Sequence, residues 1–131
     1  MISLDSLWMA ILVSAILVWI GGYIVWQVLP HHKNEEAAKQ PMDAKKLGLH
    51  FVYCLVVGIF VAYLAGLALP AGSEYMVVFR FTAAAAFSIH GLSVIQEAVW
   101  RGRPWSFVYK NFGDSLFYGL LTGGAFGWLW P

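Results

Sequence analysis

Four long apolar runs, separated by short polar breaks, divide this chain. They cover about residues 4–29, 47–69, 75–100 and 112–130. Each reaches the roughly 20 mainly apolar residues that an α-helix needs to cross the hydrocarbon core of a bilayer. Pro30 and Pro70 stop the first two, because proline has no amide hydrogen to continue a helical ladder. The pattern predicts an all-α fold, a single domain built as an integral membrane bundle of four transmembrane helices. The first run is not a cleavable signal peptide: no Lys or Arg precedes its apolar core, and the core is too long.

Residues 30–46 are the one stretch that reads as fully aqueous. Asn34 is placed to cap a short surface helix, Glu35 and Glu36 fall in its first turn, and Pro41 ends it. The mixed charges of this loop read as a solvated face in preference to a docking site.

A second pattern lies inside the apolar runs. Ser115, Gly119, Gly123 and Gly127 recur every four residues, a row of small groups down one face of the fourth run. Gly58, Ala62 and Gly66 make a surface of the same kind in the second, and Ala10, Ser14, Gly21 and Gly22 add to it in the first. Glycine weakens a helix in water by about 1 kcal/mol relative to alanine. In lipid the balance changes, since apolar side chains gain nothing by leaving the tails and helices associate through close backbone approach. These rows are expected to hold the four helices of one protomer together. The alternative is that one row faces outward and joins copies of the chain or a different partner.

Composition and charge sharpen this picture. Of 131 residues, 60% are apolar, 17% aromatic and only 11% charged; a soluble domain carries roughly 25% charged residues. Net charge is +1, so nothing points to nucleic acid. Of the eight basic residues, Lys33, Lys39, Lys45 and Lys46 lie in the first loop, and Arg101, Arg103 and Lys110 in the third. Arg80 sits about a turn inside the third run, where it can snorkel to the outer headgroups, near Glu74. The positive-inside rule therefore places both basic loops in the cytoplasm and both termini outside. Trp8, Trp128 and Trp130 fit an outer interfacial belt, and Trp26, Trp100 and Trp105 an inner one.

Candidate chemistry concentrates in the third run. At 100° per residue, Ala83, Ala86, His90, Glu97 and Arg101 share one face, with Ser93 at its margin. Glu97 precedes Arg101 by four residues, the favourable order for an ion pair. Depth counting places Gln27, His50, Tyr53, Asp114 and Tyr118 near that pair, and His90 deeper, level with Thr122 and roughly with Gly58. One arrangement is a polar vestibule lined by His90, Glu97, Arg101, Asp114 and Tyr118, a candidate path for protons or a small solute. Against it stands an ion pair that braces a loop and a histidine bonded to a hydroxyl such as Thr122. His31, His32 and His50 have no metal-ligand spacing. His50 and His90 differ in expected depth by roughly 10 Å at 1.5 Å per residue, which disfavours a bis-histidine haem. No cofactor and no catalytic constellation are indicated, and Cys54, the single cysteine, reads as a buried thiol.

With LPHHKNE after the first run, AYLAGLALP closing the second, VFRFTAAAAF opening the third and GWLWP at the end, the chain resembles an uncharacterised group of small bacterial four-span membrane proteins. It departs from that group at KQPMD, where a KLPDE-like run is expected. The resemblance implies a compact four-helix protein of the bacterial inner membrane and transfers no catalytic residue. The expected function is a non-enzymatic structural or accessory membrane protein, acting by helix packing as a homo-oligomer or as a subunit of a larger complex, in contact with membrane lipids. The proton or small-solute path is the alternative. A binder of lipid or another hydrophobic small molecule is a second.

Overall fold

The structure is a computed structural model that describes residues 2–28 and 43–131. The surface helix expected around Asn34 lies outside the described residues. All regular structure among the described residues is helical. A 3-10 turn, Leu4–Leu7, leads into α1, Trp8–Tyr23, which ends in a π turn over Ile24–Val28. The remaining helices are α2, Ala44–Ala68; α3, Tyr75–Gly91; α4, Ser93–Arg101; and α5, Trp105–Leu129.

Local chemistry sets these boundaries. The carboxylate of Asp43 accepts from the Lys46 amide at 2.8 Å, capping α2, so the last residues expected in the loop are already helical. Gly102 takes φ +68 and stops α4, a left-handed cap that costs glycine little. α5 starts directly after Pro104, seven residues before the expected fourth span. A span is counted from where hydrocarbon begins, whereas the helix continues through the interfacial layer. The third run is divided at Leu92 into α3 and α4, although Leu92 itself keeps helical dihedrals, φ −68 and ψ −32.

Three helical stretches are long and apolar enough to cross a membrane: Leu4–Gln27, Ala44–Ala68 and Tyr75–Arg101. α5, with 25 residues, equals α2 in length but does not join that set, because its glycines, tryptophans and Asp114 lower its hydropathy. The helices run up and down. Backbone bonds from Ile2 to the Gly66 carbonyl (3.1 Å) and from Gly72 to the Pro131 carbonyl (2.7 Å) put both chain ends beside the α2–α3 connection. The Trp130 indole, bonded to the Pro70 carbonyl at 3.0 Å, reinforces that end.

α3 and α5 form the most extensive contact; α1 packs on α2 and on α5, and α2 meets α3 more lightly. Small residues explain the close seams. A Cβ placed on Gly119 would lie 2.9 Å from the Ala83 carbonyl oxygen, and one on Gly123 2.9 Å from the Phe79 carbonyl oxygen. Gly127 abuts the Tyr75 ring, and Ser115 fills the space left by Gly91. The α5 row is therefore spent on α3. The α2 row turns to the amino-terminal helix instead: Gly58 faces Ile11 and Ser14, Gly66 faces Ile2, and Ala62 is fully buried. The two rows do not face one another, since four-residue spacing sets a face but not the neighbour it meets.

The core of the half nearest the chain ends is Leu7, Val61, Ala62, Val78, Ala86 and Phe126. Large apolar side chains cover much of the outer surface, with Trp100 80% exposed and Trp128 75% exposed. A surface of this kind suits hydrocarbon and is unusual on a protein surrounded by water.

Candidate functional site

Buried hydroxyls in this bundle are satisfied locally. Thr82 donates to the Val78 carbonyl at 2.8 Å, Thr122 to Tyr118 at 2.9 Å, Ser115 to Asn111 at 2.6 Å and Ser14 to Ile11 at 3.0 Å. Such bonds to the preceding turn remove the penalty of an unpaired polar group away from water. Among the described residues, the buried side-chain nitrogen or oxygen left with no partner is Nε2 of His90.

His90 is the last residue but one of α3, with a tyrosine ring from each of two neighbouring helices beside it. The Tyr53 ring of α2 stands edge-on with its centroid 5.7 Å away, and the Tyr118 ring of α5 lies at 5.0 Å. One turn earlier on α2 is His50, whose Nε2 is 3.7 Å from the Cys54 sulfur. The His50 ring rests on Gly22 of α1, where a Cβ would have no room. The Trp19 indole ties α1 to the start of α2 through the Leu47 carbonyl at 3.0 Å. On α5, Asp114 is buried one turn before Tyr118 and borders a groove of about 330 Å³ lined also by Ile24, Lys110, Gly113 and Phe117.

The expected polar face is thus divided. The structure brings His90 and Tyr118 together, with Asp114 one turn along the same helix. Glu97 and Arg101 instead pair with each other at 3.2 Å on α4, Arg101 being 73% exposed, and Arg103 approaches Glu97 at 3.7 Å. Depth counting is off by about a turn: the rings against His90 are those of Tyr53 and Tyr118, about one turn before the expected levels of Gly58 and Thr122.

Sequence reasoning missed two things here. Tyr53 and Cys54 belong to the layer around His90, whereas depth counting set Tyr53 beside Glu97 and Arg101 and nothing in the spacing singled out Cys54. The outward side of α3 and α4 carries Arg80, Ala84, Ser88, Leu92 and Gln96, all exposed and spaced by four; the run of four alanines conceals that stripe by placing small groups on every face. No group of three or more His, Cys, Asp or Glu placed to hold a metal occurs among the described residues. No protein-family model matches the chain, and neither the curated proteins nor the solved structures contain a match.

Proposed function

We propose that the chain is a non-enzymatic integral membrane protein that crosses a bacterial inner membrane four times, with both termini on the outer side. It works as an accessory subunit of a larger membrane complex or as a homo-oligomer. α5 is the fourth span: it is joined along its glycine row to α3, and a helix seated that closely against a spanning partner shares its depth. The orientation follows from the basic residues of the first and third loops.

The observation that carries the association is the exposed stripe on α3 and α4. The glycine rows are consumed within the protomer, whereas Ala84 and Ser88 leave a shallow step on the outside, and Gln96 leaves an amide near the membrane edge. Small and hydrogen-bonding residues on a lipid-facing helix are the means by which helices associate in membranes. The test is native mass spectrometry of protein extracted in mild detergent. The proposal expects a fixed assembly of several copies, or of this chain with a partner, that is lost in Ser88→Leu while helical content is unchanged. A wild-type chain recovered only as a monomer overturns it.

A further inference from the structure

We propose that the groove between the π turn of α1 and the first half of α5 holds one phospholipid with an ethanolamine headgroup. Its acyl chain lies along the groove, its phosphate meets Lys110 and its ammonium meets Asp114. This rests on the bundle spanning a bilayer and is independent of what the chain associates with. The groove encloses about 330 Å³ between Ile24 and Val25 on one side and Tyr109, Gly113 and Phe117 on the other. A space left beside apolar side chains forfeits their dispersion contacts, and in a bilayer the material at hand to fill it is an acyl chain.

Two features set the groove apart from a gap in packing. The first is Gly113, which keeps it open. A Cβ there would meet nothing within 4 Å among the described residues, and the backbone is not left-handed. Gly119 and Gly123 admit the α3 backbone, whereas neither a close approach nor a turn accounts for Gly113. Glycine weakens a helix interior, so its place here is explained by the room it leaves beside α1.

The second feature is charge. Lys110 and Asp114 border the same groove, one turn apart on α5, while the α1 wall is aliphatic. That turn separates them by about 6 Å along the helix axis. The phosphate and ammonium of an ethanolamine headgroup are joined through two carbons, so one headgroup can reach both. Lysine before aspartate is the poorer order for a pair along a helix. An ammonium donates three hydrogen bonds and a carboxylate accepts about four, so each can serve a headgroup besides a partner within the protein. A headgroup of negative charge alone would meet Lys110 but be repelled by Asp114, and a choline headgroup has no N–H to give the carboxylate. Tyr109, 69% exposed, and Lys110 lie towards the start of α5, where their polar tips reach the headgroup layer.

The test is native mass spectrometry of the full chain titrated in detergent with phosphatidylethanolamine, phosphatidylcholine and phosphatidylglycerol of identical acyl chains. Helical content and assembly size are measured for each variant, so that a failed association is told apart from a failed lipid site. One phosphatidylethanolamine is expected to bind about tenfold more tightly than phosphatidylcholine, the worth of one charge-assisted hydrogen bond. Asp114→Asn should remove that preference, and Lys110→Ala should weaken both lipids. Gly113→Leu fills the groove at a position with room for a side chain and should abolish the tight adduct. Equal binding of the ethanolamine and choline lipids overturns the headgroup assignment, as does tighter binding of phosphatidylglycerol. An ethanolamine preference that survives Gly113→Leu overturns the location. A Gly113→Leu chain that loses its assembly while keeping its lipid overturns it too, by giving the groove to a protein neighbour.

Discussion

Two adjacent glycines on α5 should respond in opposite ways to the same substitution. At Gly123 an added Cβ would stand 2.9 Å from the Ala83 Cβ, 2.9 Å from the Phe79 carbonyl oxygen and 3.0 Å from the Phe79 ring. Carbon atoms in good contact lie about 3.5–4.0 Å apart. To accommodate the methyl group, α3 and α5 must part by roughly half an ångström, and a backbone carbonyl cannot rotate away as a side chain can. That movement strips contact along the whole seam from Ser115 to Gly127. At Gly124 the nearest atom is the Tyr75 hydroxyl at 3.7 Å, an ordinary contact. The helical preference for alanine over glycine applies to both positions and cancels in the comparison. What remains is the overpacking cost at Gly123, about 1–3 kcal/mol. Since 1.4 kcal/mol is about tenfold in an equilibrium constant, Gly123→Ala should unfold well before Gly124→Ala. Reversible unfolding in mixed micelles with increasing sodium dodecyl sulfate, read by far-ultraviolet circular dichroism, measures the difference. Equal stabilities within about 0.5 kcal/mol, or the reverse order, would refute the seam as the source of α5 attachment, since the expected gap is at least twice that.

Asp43→Ala removes the carboxylate that accepts from the Lys46 amide. It should cost about 1 kcal/mol, seen as faster hydrogen exchange confined to the first turn of α2. Trp19→Phe deletes the indole bond to the Leu47 carbonyl and should lower stability by about 0.5–1.5 kcal/mol in the same micelle titration. Glu97→Gln breaks contacts with two exposed arginines, and exposed pairs of this kind contribute about 0.2–1 kcal/mol. A loss above about 2 kcal/mol there would show that α4 is held by this cluster and not by Val94 and Ala98 packing on Val108.

The apolar runs were legible because crossing hydrocarbon demands a length that few other structures need, and three of them qualify on the same physical terms. The fourth run counts as mainly apolar and long enough, but its glycines, tryptophans and Asp114 lower its hydropathy, and α5 does not join the three. The small residues were legible as a repeat, yet their partners were not: Gly123 meets Phe79, and Gly58 meets Ile11, because spacing carries no azimuth between helices. The parting of His90 from Glu97 was not legible either: seven residues apart, they fall on one helical face, yet Glu97 turns to Arg101 and Arg103 while His90 meets two tyrosine rings. The layer around His90 was hidden for a related reason. Counting residues from the membrane edge assumes upright helices, so Tyr53 and Tyr118 were expected a turn away from the ring they flank.

The account depends above all on four helices embedded in lipid, and backbone hydrogen exchange of the chain in nanodiscs examines all four at once. Sustained protection is expected across the interiors of α1, α2 and α3, and equally across α5 from Ser115 to Phe126. An α5 that exchanges within seconds like a water-exposed helix, beside three protected ones, would contradict it.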